Sequence, residues 1–375
     1  MRLLHPPSPP RRRALTDEAH DVLAPSGEDG ADGAPARQLL AAASRLATEL
    51  LGPAAEATDR AGTVPPEHLR ALARAGLSGI FCPPAAPLAV TREIFEVLAG
   101  ACGVTFFVWV QHHAPVRMLA GSPNEALRHR HLDDLCTGRV LGGVAFAYLR
   151  RPGAPAVVAR RVDGGYMVDG EAPWVTSWGL AGLYSVAARL DDEVLYFVVE
   201  GAPSEALQPS APLALAAMGA SSTVRIAFKN LAVPDEDVLT VMPFDEWRAR
   251  DNVATAQPNP AAFGITATCI RLLADAGQAA PALGAELDDC RRRSYALADA
   301  RCTDRPHLAA QVKARAQSLE LAVRAATALV VATGGRGMSS GHPAQRLLRE
   351  AAFFTIQAQT PELRRATLAQ LGLST

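Results

Sequence analysis

Residues 156–177 read AVVARRVDGGYMVDGEAPWVTS, and this stretch decides the class of fold. Two extended runs rich in β-branched and aromatic residues flank the DGG at 163–165, which is the pattern of a β-hairpin. The pattern recurs around the DD at 191–192, between LYSVAARL and VLYFVVEG, and a last run, TVRIAFKNLAV, stops at Pro234. Successive hairpins without intervening helices predict an antiparallel sheet or small barrel over residues 139–240.

Helical patterns flank the predicted sheet on both sides. In residues 38–51, apolar residues recur at spacings of three and four, which is the period of a helix with one buried face. Pro66 and Gly76 suit the start and the end of a second helix. The sequence therefore predicts an α+β, mainly α fold in four parts: a disordered tail at 1–36, an N-terminal helical domain at 37–138, the antiparallel β domain at 139–240 and a C-terminal helical bundle at 241–375.

The composition argues against several classes of protein. The 37 Lys and Arg nearly balance 38 Asp and Glu, so there is no electrostatic reason to expect a nucleic-acid partner. No apolar run reaches the roughly 18 residues of a membrane span. The six cysteines form no C-x-x-C pair, which favours reduced thiols and no metal site. We therefore expect a cytoplasmic protein without a membrane span.

Five segments, taken in order, resemble the acyl-CoA dehydrogenase family over about residues 38–370. They are VPPEHLRALARAGLSGIFCP (64–83), RRPGAP (150–155), APWVTS (172–177), MGASSTVRIAFKNLAVP (218–234) and ATGGRGMSSGHPAQRLLREAAFFTIQAQTPELRR (332–365). The resemblance implies an FAD flavoenzyme that forms a homodimer or homotetramer through its C-terminal bundle. It also implies that a glutamate base removes the acyl α-proton while the β-hydride passes to the flavin.

The resemblance implies cofactor contacts in two places. Trp174 and Thr176 fall on a tryptophan and a threonine that touch the flavin in the family; the alternative is a strand pair with the tryptophan in the core. Three glycines, which allow close backbone approach, fall on the turn that approaches the FAD of a neighbouring subunit: Gly334, Gly335 and Gly337. A turn that merely links two helices is the alternative for them.

The flavin loop departs from the family pattern. Its threonine falls on Arg150 and its glutamate on Arg151. We predict that Arg150 is a cofactor-binding residue, because a guanidinium binds a carboxylate or phosphate through two parallel hydrogen bonds. The alternative is a solvated pair of cations at the edge of a loop.

The catalytic glutamate of the family is also missing. Its position falls on Ala358, which has no proton acceptor. A second position that some relatives use falls near residue 254 and has no carboxylate either. Glu362, four residues beyond Ala358, is only a weak substitute, because it lies about 6 Å further along a helix.

Two histidines offer another base. His112 and His113 lie in FFVWVQHHAPVRML (106–119), a helix that forms part of the acyl-pocket wall in the family. A neutral histidine is well suited to accept a proton near pH 7. The alternative is a histidine satisfied by backbone groups that are left free where Pro115 kinks the helix.

Three functional hypotheses follow. The first is an FAD-dependent oxidoreductase that acts on the CH–CH group of an acyl thioester. The second is a flavin-dependent monooxygenase or oxidase on the same fold, which the missing glutamate favours. The third is a catalytically silent homologue that serves as a binding or scaffold subunit. The sequence specifies neither the substrate and its carrier nor the electron acceptor.

Overall fold

The computed structural model describes residues 33–373. Residues 1–32, which make up most of the predicted disordered tail, lie outside the described residues. The first helix begins at Gly33, ahead of the boundary predicted at residue 37. Helices precede and follow a central sheet, so the predicted α+β, mainly α architecture is confirmed.

The N-terminal part is helical. Its elements are α1 (Gly33–Leu46, continued by a π-turn at Ala47–Leu51), α2 (Gly52–Arg60), α3 (Pro66–Arg74), α4 (Leu88–Ala101), α5 (Gly103–Gln111), α6 (His113–Ala120) and α7 (Glu125–Cys136). Gly76 follows α3 with a φ of 77°, a left-handed conformation that favours glycine. The chain that the sequence predicts as one kinked helix is divided into α5 and α6 at His112.

Within residues 33–373, the sheet has eight strands: β1 (Gly142–Ala145), β2 (Val157–Val162), β3 (Gly165–Val175), β4 (Leu183–Leu190), β5 (Glu193–Glu200), β6 (Leu207–Pro209), β7 (Val224–Pro234) and β8 (Val238–Pro243). The order is β6-β7-β3-β2-β4-β5-β8, with β1 beside β4. Both predicted hairpins are present, as β2–β3 and β4–β5.

One part of the sheet prediction is wrong. The sheet is mixed, because β1 runs parallel to β4, with Gly142 opposite Leu183, and β2 meets β4 in parallel at Val158. A parallel pair needs a long connection between its strands. Here the whole β2–β3 hairpin supplies that connection, and the hairpin pattern by itself does not reveal it.

The C-terminal part is a bundle of α8 (Phe244–Ala256), α9 (Pro260–Asp275), α10 (Pro281–Asp299), α11 (Arg305–Thr333), α12 (Pro343–Phe354) and α13 (Pro361–Gln370). Among the described residues, α11 with the turn after it is long and apolar enough to cross a membrane by length and composition alone. That evidence is weak, since a core helix passes the same test, and α11 packs against the other bundle helices.

The helices from both ends of the chain share one core. Leu98 and Trp109 from the N-terminal part pack in the same buried cluster as Leu319 and Phe354 from the C-terminal part. The sheet has a separate core, which α6 and α7 extend. Phe81 and Leu141 pack against both of these cores.

The expectation that every cysteine is a reduced thiol is wrong for one pair. Cys82, after α3, and Cys136, at the end of α7, form a disulfide with their Cα atoms 5.9 Å apart. The two residues are 54 positions apart in the chain. Their pairing depends on the packing of the loop after α3 against α7, which no spacing rule predicts.

Candidate functional site

Strained backbone gathers where β3 ends against the loop before β7. Trp174 has a φ of 61° and Ser177 a φ of 70°, while Met218 and Ser222 in the facing loop have values of 58° and 51°. A positive φ is unfavourable for side chains other than glycine, and such strain clusters at functional sites. The amide of Ser177 donates to the Ser221 carbonyl (2.9 Å), so the two strained segments are bonded together.

Buried hydroxyl groups line the same place. The Thr176 Oγ1 lies 3.3 Å from the Thr223 Oγ1, which in turn lies 2.7 Å from the Ser221 Oγ. The Ser177 Oγ is fully buried and has no hydrogen-bond partner among the described residues. An unpaired buried hydroxyl is unfavourable by about 1–3 kcal/mol. This end of β3 therefore holds polar groups with spare hydrogen-bonding capacity.

Trp174 and Thr176 differ sharply in exposure. The Trp174 side chain is 53% exposed, which excludes the alternative that it is a core residue, whereas Thr176 is buried. The exposed ring of Trp174 therefore presents an aromatic face next to the buried hydroxyl groups described above. The structure thus brings these two predicted cofactor residues together at one strand end.

The three predicted glycines form a short turn after α11. Gly334 has a φ of 70° and a ψ of −152°, a conformation that essentially only glycine adopts. An added Cβ at Gly334 or Gly335 would meet no atom within 4 Å, so open space lies beside this backbone. Gly337 is buried and close to the Val330 carbonyl. The turn packs on α11 and α12, whereas Trp174 lies at the end of β3.

The structure argues against a ligand-binding role for Arg150. Its Nε and Nη2 donate to the Asp251 carboxylate at 2.8 and 2.6 Å, and the two side chains are 16% and 12% exposed. Both parallel donors of the guanidinium are therefore occupied within the chain. The alternative of a solvated cation is also wrong, because this ion pair is largely shielded from water.

His112 is a structural residue in this geometry. Its Nδ1 accepts a hydrogen bond from the Gly142 amide (2.9 Å), and its Nε2 faces the Ser78 carbonyl at 3.3 Å. The proton therefore resides on Nε2, and neither ring nitrogen has a free lone pair. Burial lowers the pKa of His112 to about 4. The prediction that His112 acts as a base is not supported.

His113 has the opposite arrangement. It is fully buried, and neither ring nitrogen has a hydrogen-bond partner among the described residues. Its ring centroid lies 4.4 Å from that of Trp109 and 5.1 Å from that of Phe81. Burial, followed by the electrostatic effects of the neighbouring His112 and Arg117 side chains, lowers the pKa of His113 well below its usual value. His113 is thus a neutral imidazole with a free lone pair inside an aromatic cluster.

Ala358 lies in the turn between α12 and α13 and has a φ of 53°. The two carboxylates considered as substitutes are both engaged elsewhere. Glu362 lies on the surface of α13 and pairs with Arg365 at 3.2 Å. Asp251 is bonded to Arg150. Among residues 33–373, no three His, Cys, Asp or Glu side chains gather as a metal site.

Arg315, a residue that the sequence analysis missed, lies beside the Ala358 turn. Its Nη2 donates to the Gln357 carbonyl (3.2 Å), and its Nη1 donates to the carbonyls of Thr255 (2.8 Å) and Gln257 (3.3 Å). It is 5% exposed. Burial, followed by the charge of Arg150, lowers the pKa of Arg315 to about 10. Its place in the apolar stripe of α11, four residues before Leu319, was the available signal.

Comparison with known proteins agrees with this architecture. Residues 34–139 match the family described as "Acyl-CoA dehydrogenase, N-terminal domain". The chain is 23% identical to 2-methylacyl-CoA dehydrogenase of Solanum tuberosum over 380 aligned positions, which cover 89% of each protein.

Solved structures share the fold. Butyryl-CoA dehydrogenase of Megasphaera elsdenii superposes with a TM-score of 0.76 at 18% identity, over 93% of this chain and 100% of that one. A glutaryl-CoA dehydrogenase of Mycobacterium smegmatis in complex with FADH2 gives 0.71 at 15% identity, over 91% and 95%. Residues 34–139 thus match the N-terminal domain of the acyl-CoA dehydrogenases, and the described chain has the fold of that family.

Proposed function

We propose that this protein binds FAD and oxidises the CH–CH group of an acyl thioester. The observation that carries the proposal is the end of β3, where an exposed Trp174 stands beside a cluster of buried hydroxyl groups. An isoalloxazine ring has an aromatic face and a polar edge, and this combination of groups suits both. When bound, FAD supplies the hydride acceptor of the reaction.

Residues of the chain would supply orientation and proton transfer. Thr176 would hold the polar edge of the flavin, and Trp174 would cover its face. His113 is the remaining candidate base, because it has a free lone pair and His112 does not. Its burial makes it a weak base at neutral pH, which opposes this role. Replacing His113 with Phe keeps an aromatic ring, and we expect it to slow reduction of the flavin by substrate.

The proposal includes a homo-oligomer formed through the C-terminal bundle. Large apolar side chains are exposed on this part of the chain, among them Val331 (75%), Met338 and Leu371. Val331 and Leu371 also line an apolar groove formed by α9, α10 and α11. Exposed apolar surface of this kind is typical of a subunit interface. The cytoplasmic location stays a prediction, and the disulfide counts against it, since disulfides are rare there.

The first test is retention of the cofactor. The purified chain is incubated with FAD and dialysed, and its visible spectrum is recorded. We expect flavin bands near about 370 and 450 nm to remain. Trp174→Ala should weaken FAD binding about tenfold through loss of ring contact, whereas Trp174→Phe should largely preserve binding. Equal FAD affinity in the wild type and Trp174→Ala would refute the role of Trp174.

The second test identifies the reaction. Anaerobic mixing of the FAD-loaded protein with acyl-CoA thioesters should bleach the flavin absorption band at about 450 nm. If only NAD(P)H or a flavin reductase reduces the flavin, and oxygen is then consumed, the monooxygenase hypothesis replaces the dehydrogenase. If the protein retains no FAD, the result supports the third hypothesis, that of a catalytically silent homologue.

A further inference from the structure

Arg315 is a buried cation without a counter-charge. Among the residues that the structure describes, no Asp or Glu oxygen lies within 4.0 Å of its guanidinium, which instead contacts three backbone carbonyls. Its Nε is buried and has no hydrogen-bond partner in the part of the chain that the structure describes. An arginine cannot lose its proton to avoid this situation, and an uncompensated buried charge is strongly unfavourable.

Arg150 provides an internal comparison. It presents its Nε and Nη2 to the two oxygens of Asp251, which neutralises it. In Arg315 only one of the same two donors has a hydrogen-bond partner among the described residues. Nη2 donates to the Gln357 carbonyl, whereas Nε has none. The charges of Arg150 and Asp251 neutralise each other, whereas no described carboxylate forms an ion pair with Arg315. The missing partner is therefore an anion, and a carboxylate fits the guanidinium best.

The location of Arg315 indicates which molecule would bring that anion. Through Gln357 it is bonded to the turn of Ala358, and through Thr255 and Gln257 to the end of α8. Under the proposed function, on which this inference rests, we expect the acyl group beside these two segments, because the family's positions for the catalytic base fall on Ala358 and near residue 254. Neither of them contributes a carboxylate to Arg315. A carboxylate there would have to come from the ligand.

We infer that Arg315 recognises a carboxylate on the acyl group, so that the substrates are dicarboxylic acyl thioesters. The free Nε–H and the adjacent Nη2 bind the distal carboxylate, and the thioester carbonyl remains at the flavin. Arg315 is then a specificity-determining residue. A neutral acyl chain of equal length leaves the buried cation unpaired and binds more weakly.

The test compares matched pairs of thioesters on the full-length, FAD-loaded protein by isothermal titration calorimetry. The pairs are succinyl- and butyryl-CoA, glutaryl- and pentanoyl-CoA, and adipoyl- and hexanoyl-CoA, which differ only in the terminal carboxylate. For at least one pair, we expect the wild type to bind the dicarboxylic thioester about tenfold more tightly or better, as a charged hydrogen bond allows. Equal affinities in all three pairs would overturn the inference.

Variants locate the preference. Arg315→Met should remove it, and Arg315→Lys, which keeps the charge but not the parallel donors, should retain only part of it. The control is Arg292→Met, on the exposed face of α10, where Arg292 pairs with Asp289; it should keep the full preference. A full preference in Arg315→Met refutes the assignment. If Arg315→Met does not fold, the Arg315→Lys result and the wild-type ratios decide.

A third outcome separates the two possible sources of the anion. If Arg315→Met lowers FAD retention while the two thioesters of each pair bind the wild type equally, the anion is a cofactor phosphate, and the acyl-carboxylate assignment is wrong. If the wild type retains no FAD, the same titrations are run on the protein as purified. A preference for dicarboxylic thioesters then leaves the assignment of Arg315 standing, although the proposed flavin chemistry fails.

Discussion

Replacing His112 with Ala tests whether this residue is structural or catalytic. The substitution removes the acceptor of the Gly142 amide and the donor to the Ser78 carbonyl, both of which are buried contacts. Each backbone group left unpaired is unfavourable by about 1–3 kcal/mol. The cavity left by the imidazole adds about 1–2 kcal/mol. We therefore expect the free energy of unfolding to fall by about 3–8 kcal/mol.

The dependence of stability on pH provides a second readout. His112 has a folded pKa of about 4 against an ordinary value of 6.5, so between these values the unfolded chain binds a proton that the folded chain does not. Stability conferred by the neutral imidazole is complete above about pH 6.5 and is lost as the pH falls toward 4. The His112→Ala variant should show a smaller loss, by up to about 1.4 kcal/mol per pH unit.

The assay is urea unfolding followed by circular dichroism at several pH values between 7 and 4. His129→Ala is the control, because His129 is exposed on α7, and its stability should stay within about 0.5 kcal/mol of the wild type. If His112→Ala is as stable as the control, or if its pH dependence equals that of the wild type, the structural assignment is refuted.

Three further predictions concern cross-links and interfaces. Cys82→Ser opens a loop of 54 residues and should lower the thermal midpoint, with a loss of stability up to about 4 kcal/mol from chain entropy; an unchanged midpoint in non-reducing buffer would argue against the disulfide. Asp251→Ala leaves Arg150 unpaired and should lower the free energy of unfolding by about 3–5 kcal/mol in the same urea assay. The double variant Asp251→Ala/Arg150→Met should recover part of that loss; an equal loss in the single and the double variant would contradict the pairing. Val331→Glu places a charge in the apolar groove and should lower the molar mass of the protein in solution, measured by light scattering, toward that of the monomer. An unaltered molar mass would exclude this face as the subunit interface.

Local patterns determined much of this protein. The hairpin turns at 163–165 and 191–192 and the ends of α3 at Pro66 and Gly76 follow from residues adjacent in the chain. Turn chemistry and helix termination depend on neighbouring dihedral angles, which the sequence specifies directly. The assignment of Trp174 and Thr176 as flavin contacts came instead from the family resemblance and stays a prediction.

Only the tertiary structure decided the chemical state of the candidate site. Arg150 and Asp251 are 101 residues apart, and His112 meets Gly142 across 30 residues, so their pairing depends on how distant elements pack. The same packing leaves Arg315 without a carboxylate partner among residues 33–373. Hydrogen-bond saturation and burial are properties of the folded environment, not of a residue type. For that reason the sequence could name arginines and histidines as candidates, while the fold determined which of their donors and lone pairs remain free.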